Sequence, residues 1–185
     1  MKLRMKMAKK VIISILLIAL LYALLVFKNH NQNKMAPQSK IQLSSTAFLN
    51  NQTIPMSYSC NGENINPPLL ISNVPAGTKS LAIIVDDPDA ITGDWVHWLI
   101  WNIPPSITKI NSGSIPAGSV QGPNGFSNNR YDGPCPPSGT HRYFFRLYAL
   151  DITLGTDRNI RKNDLLNAMS GHILDQATFI GLYSK

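Results

Sequence analysis

Residues 41–185 predict a mainly β domain, largely antiparallel, with little helix. Three observations carry that reading. Apolar runs with strand-like spacing recur along the segment. Clusters of proline and glycine separate the runs. Thirteen prolines in 185 residues oppose long helices.

The elements follow in order. "SLAIIVD" (80–86) is a short, β-branched apolar run, as in a strand buried on both faces. "WVHWLIWN" (95–102) alternates. Strict alternation puts Trp95, His97, Leu99 and Trp101 on one face, and Val96, Trp98 and Ile100 on the other. "HRYFFRLYAL" (141–150) puts His141, Tyr143, Phe145 and Leu147 on one face, with Arg142, Phe144, Arg146 and Tyr148 opposite. Turn signals lie between these runs: "NPP", "VPAG", "IPP", "IPAG", "GPNG" and "GPCPPSG". One helix is predicted near the C-terminus, with Asn163 as cap, Asp164 in its first turn and Gly171 at its end. "ATFIGLY" (177–183) reads as the last strand.

Charge is distributed unevenly. The chain carries 17 basic and 10 acidic residues. Eight of the basic residues, and no acidic ones, lie in residues 1–40. The rest of the chain therefore holds nine basic and ten acidic residues, close to neutral. The basic balance belongs to the N-terminus, and a nucleic-acid partner is not expected, because such binding needs a basic face on the folded part. "VIISILLIALLYALLVF" (11–27) is uncharged and follows a basic flank, residues 1–10. At 1.5 Å per residue it spans roughly 25 Å, the short end of a membrane-crossing helix. The flank predicts a signal anchor with the domain on the extracytoplasmic, periplasmic side. The rival is a cleaved signal peptide and a secreted domain, but "VFKNHNQNK" offers no small-residue cleavage site. Residues 28–40 read as a flexible tether. Cys60 and Cys135 admit one disulfide or two free thiols.

Candidate chemistry falls on two segments. Asp86, Asp87 and Asp89 end an apolar strand, where carboxylates repel unless donors or cations compensate them. Pro88 restricts Asp87. His97 sits in an aromatic strand; His141 ends a proline-rich loop and opens another. Two histidines and two aspartates admit a divalent metal site, hydrolysis, or an anion pocket. A compact metal pair such as HxH or HExxH is missing, and so is GxSxG. "SITK" (106–109) matches SxxK without its companion motifs. The anion pocket remains, since a Gly/Pro loop lets backbone N–H groups approach an oxyanion, and Tyr143 adds a hydroxyl beside His141.

Five segments appear in order: "NGENINPPLLISNVPAG", "LAIIVDDPDA", "WVHWLIWNIP", "GPCPPSGTHRYFFRLYALD" and "AMSGHILDQATFIGLYS". Together they resemble the phosphatidylethanolamine-binding protein family, in its bacterial Raf-kinase-inhibitor-like branch, over residues 41–185. The resemblance implies a central antiparallel sheet packed on a smaller sheet, with short peripheral helices. It also implies a small cavity for phosphate-like anions or phospholipid headgroups. By the same resemblance, the cavity's residues fall on Asp87, Pro88, Asp89, Trp95, His97, Gly133, Pro134, Pro136, His141 and Tyr143. Pro137 and Arg142 match the same motifs. Ile91 and Ile71 stand where the family usually has proline and tryptophan.

The expected function is non-enzymatic binding, without cofactor, metal or catalytic residues. Asp87 and Asp89 are expected to orient and charge the two histidines. One alternative is an inhibitor acting on a protease or kinase through a protein target. Another is a weak hydrolase or metal-binding protein.

Overall fold

The computed structural model describes residues 40–185. The basic flank, the apolar segment 11–27 and residues 28–39 of the tether lie outside the described residues. Among the described residues no helix is long and apolar enough to cross a membrane.

Among the described residues nine strands form two sheets. The larger has six, in the order β2 (Gln52–Thr53), β9 (Ile173–Ser184), β8 (Thr140–Leu150), β4 (Ser80–Asp87), β5 (Trp95–Ile103) and β7 (Val120–Gly122). The smaller has three: β1 (Gln42–Ser45), β3 (Leu69–Ser72) and β6 (Lys109–Ile110). All pairings are antiparallel except β2 on β9. The predicted mainly β class, a central sheet on a smaller one, is what the chain forms.

β4 lies at the centre, and all eight of its residues are buried. Its alternating side chains feed two cores. Leu81, Ile83 and Val85 join Ile71, Trp98 and Phe145 between the sheets. Ala82 and Ile84 join Leu99, Trp101, Leu165 and Met169 on the other face. Each large aliphatic side chain taken fully out of water contributes about 1.5–3 kcal/mol, so a strand buried on both faces anchors the sheet. Ile71 fills a core position in β3.

Helix α1 (Lys162–Met169) covers the second core through Leu165 and Met169. Its cap is Arg161 rather than the expected Asn163, and no side chain bonds there. Asp164 does lie in the first turn, and Gly171 follows the end with φ of 81°. Among the described residues a single 3₁₀ turn (Met56–Tyr58) is the other helical element.

The expected faces of β5 are corrected. Val85 pairs with Trp98 and Asp86 with Val96, which leaves His97 as an extra residue in a bulge. Beyond the bulge the alternation is reversed. Trp98 and Ile100 face the inter-sheet core, whereas Leu99 and Trp101 face α1. Strict period-two reading fails here because a bulge shifts the phase by one residue.

Candidate functional site

Consecutive residues on β4 point to opposite sides. Asp86 turns toward α1, where it is fully buried against Arg146 Nε at 3.0 Å and Lys162 Nζ at 2.7 Å. Lys162 also pairs with Asp94. Asp87 turns to the other side, into the bulge region of β5 and the start of β8. There a cavity of about 380 Å³ opens. Asp87, Trp95, His97, Pro136, His141 and Tyr143 line it, so the two remote segments do meet.

His141 Nδ1 lies 2.7 Å from Asp87 Oδ2. A carboxylate only accepts, so Nδ1 carries the proton. Asp87 Oδ1 accepts the Asp89 N–H at 2.9 Å, which fixes the carboxylate from its other side. His97 Nδ1 lies 2.6 Å from the Asp132 carbonyl oxygen, and the Asp132 N–H donates to the His97 carbonyl at 3.0 Å. The bulge thus frees the His97 backbone for a clamp that also sets its ring. Burial pushes the His97 pKa below the ordinary histidine value, against the pull of the Asp132 carbonyl. The ring stacks edge-on to Tyr143 at 5.1 Å and to Phe126 at 5.9 Å.

Tyr143 is 1% exposed, and its hydroxyl has no hydrogen-bond partner among the described residues. Burial, then the charge of Asp87 and hydrogen bonding toward that carboxylate, push its pKa up, so the hydroxyl stays protonated; Asp87 and the Cys135 main chain lie close to it without meeting strict hydrogen-bond geometry. A buried unsatisfied hydroxyl costs about 1–3 kcal/mol, and such exceptions call for a reason.

Four predicted positions stand off the wall. Asp89 faces Arg142, whose guanidinium reaches it at 2.9 and 2.7 Å. That hydrogen bonding, despite burial, holds Asp89 at about 2. It hydrogen-bonds neither imidazole ring, and the charge of His141 makes a minor contribution to lowering its pKa. Pro88 fixes the chain between the two aspartates. Gly133 is packed so that a Cβ would run into the Tyr58 carbonyl oxygen. The Pro134 carbonyl accepts the Cys60 N–H at 3.0 Å. Beside it Cys60 and Cys135 form a disulfide, with Cα atoms 5.4 Å apart. These residues hold the loop that presents Pro136.

Residues 44–184 match the phosphatidylethanolamine-binding protein family. The chain belongs to that family. A UPF0098 protein of Methanothermobacter thermautotrophicus is 51% identical over 150 residues, which is 78% of this chain and 99% of the relative. The crystal structure of a putative phosphatidylethanolamine-binding protein homolog from Chlamydia trachomatis is 42% identical, with a TM-score of 0.76. It covers 79% of this chain and 98% of its own. The structure of E. coli YbcL, described as a new member of the mammalian family, is 30% identical, with a TM-score of 0.75. That likeness covers 80% and 99% of the two chains. Members of the phosphatidylethanolamine-binding protein family are in general binding proteins.

Further parts of the site were not foreseen from the sequence. Asp132 is 5% exposed, and its carboxylate takes the amides of Asn64, Asn124 and Asn128 and the Arg130 Nε at 2.7–3.1 Å. Burial opposes its ionisation, but these donors outweigh it and keep the pKa low. Phe126 packs on Trp95 at 5.4 Å, and a Cβ on Gly125 would run into the Trp95 indole. "NGFSNNRYD" could have signalled this, as a run of side-chain amides ending in a carboxylate. Among the described residues no three His, Cys, Asp or Glu side chains stand together as metal ligands.

Proposed function

We propose that this domain is a non-enzymatic binding module for a phosphate-like anion, free or as a phospholipid headgroup. The Asp87, His97, His141 and Tyr143 cavity holds it, and residues 11–27 tether the module to a membrane with the domain outside the cytoplasm. One observation carries the reading. A buried tyrosine hydroxyl, kept protonated and with no well-formed hydrogen bond, stands beside Asp87 on the wall of a cavity that also holds two oriented imidazoles. An anionic oxygen satisfies that hydroxyl, and charge-assisted bonds of this kind are stronger than neutral ones. The solvent-exposed disulfide supports an oxidising compartment.

Calorimetric titration of inorganic phosphate into the full chain tests the assignment, comparing wild type with His141→Ala. The variant should bind at least about tenfold more weakly. Equal affinities would remove the cavity as the binding site.

A further inference from the structure

The floor of the cavity is rich in acceptors. The Asp132 carbonyl, 2.6 Å away, holds the proton of His97 on Nδ1. His97 is 3% exposed and its ring is held edge-on by Tyr143 and Phe126. The Asn124 amide secures Asp132 Oδ2 at 2.7 Å and so braces the clamp. In the neutral ring Nε2 then carries only a lone pair, and burial of the ring favours that neutral form. His141 is turned the same way, with Nδ1 on Asp87, so its Nε2 accepts when the ring is neutral and donates only when it is charged. Asp87 adds a carboxylate that is 3% exposed. Against these stand the Tyr143 hydroxyl and, on the same lining, the Thr92 hydroxyl and the Trp95 indole N–H.

A dianion with no hydrogen fits this floor poorly. It can take bonds from donors such as Tyr143 and Thr92, but it leaves the imidazole lone pair and the carboxylate facing bare oxygens. An anion with its own O–H or N–H gives those acceptors a proton. A buried polar site rejects an analogue lacking the matching group, because its own groups are left unpaired.

Resting on the phosphate reading above, we infer that the cavity selects oxyanions that bring their own hydrogen-bond donor. Hydrogen phosphate qualifies through its P–O–H, and a phosphate monoester only as its monoanion, below its second pKa of about 6. A phosphodiester headgroup qualifies only when an ammonium lies close to its phosphate. Sulfate, of the same size and shape but without a proton near neutral pH, is rejected.

The test is calorimetry on the full chain near neutral pH and constant ionic strength, with four probes. These are inorganic phosphate, sulfate, dimethyl phosphate and glycerophosphoethanolamine. Phosphate should bind at least about tenfold tighter than sulfate, and glycerophosphoethanolamine at least about tenfold tighter than dimethyl phosphate. Asp87→Asn, which exchanges an acceptor for a donor, should narrow the phosphate-to-sulfate ratio. Whether phosphate or glycerophosphoethanolamine binds more tightly tells the free anion from the headgroup, and either order agrees with the inference. Sulfate binding as tightly as phosphate in the wild type would overturn it, since His97 would then have taken up a proton to meet a bare anion. Failure of all four probes to bind would bring down the site itself, and the selectivity with it. The wild-type comparison stands even if the variant does not fold.

Discussion

Asp86 and Asp87 are neighbours on one strand, equally hidden from water, yet they serve different ends. Asp86 meets two cations, Arg146 and Lys162, and its charge is fully answered. Asp87 meets one imidazole and one backbone N–H and no cationic side chain, beside the Tyr143 hydroxyl that forms no well-aligned bond. A buried carboxylate alone therefore does not mark a site. Incomplete compensation does, because a ligand can complete it. The two sides also differ in support. Ion pairs between side chains fix the α1 side. A disulfide, a β-bulge and main-chain clamps fix the cavity side.

Removing the covalent support should have the largest effect. The disulfide joins residues separated by 75 positions. Closing a loop of that size stabilises by about 4 kcal/mol in the chain-entropy account. Replacing both Cys60 and Cys135 with serine should lower urea-unfolding stability by about that amount. A loss under about 1 kcal/mol would mean the proline loop holds itself.

The next effect tests the compensated side. Arg146→Met leaves Asp86 buried with Lys162 alone. Removing one partner of a buried pair costs about 3 kcal/mol. Phosphate affinity should not change, since Arg146 is on the opposite face of the sheet from the cavity. Tyr143→Phe should do the reverse. It removes an unpartnered hydroxyl, so stability should hold or rise by up to about 1 kcal/mol while phosphate affinity falls about tenfold. A clear loss of stability in Tyr143→Phe would show that the hydroxyl already has a partner, and the contrast between the two sides would fail.

Much of the scaffold was legible because burial writes itself into composition. "SLAIIVD" has no polar alternation because both faces of β4 are covered. The meeting of the 87–97 and 133–143 segments was legible only through the family resemblance, since periodicity carries no distance between remote strands. Three features stayed hidden for physical reasons. The bulge at His97 leaves no mark on a hydrophobic pattern, so half of β5 was assigned to the wrong face. The role of Asp132 runs partly through its main chain, which every residue possesses. Among Asp86, Asp87 and Asp89, spacing could not tell which carboxylate meets cations and which meets imidazole. That depends on Arg146, Lys162, His141 and Arg142, placed by other elements.

Acid should separate His97 from the carboxylates. Folding holds His97 neutral below the ordinary value of about 6.5, so the unfolded chain takes up a proton that the folded chain refuses. Its contribution to stability is full at higher pH and declines as pH drops below about 6.5, by at most about 1.4 kcal/mol per pH unit. Urea midpoints between pH 7.5 and 5.5 should flatten in His97→Gln. An unchanged slope would assign the loss to other groups.

Asp89 should give the smallest effect, and it tests where the site ends. Its pKa is held at about 2 by Arg142, below the ordinary carboxylate value of about 3.9. Its contribution is therefore present above about pH 4 and is lost as pH falls toward about 2. Both partners are substantially exposed, with side chains 28% and 55% accessible, so solvent screens the pair and Asp89→Asn should cost under about 1 kcal/mol. Asparagine keeps the backbone N–H that Asp87 accepts. Phosphate affinity should therefore stay within about twofold of wild type, as for an exposed pair off the cavity wall. A larger fall would mean that the Asp89–Arg142 pair aims Asp87, extending the functional unit beyond the groups that line the cavity.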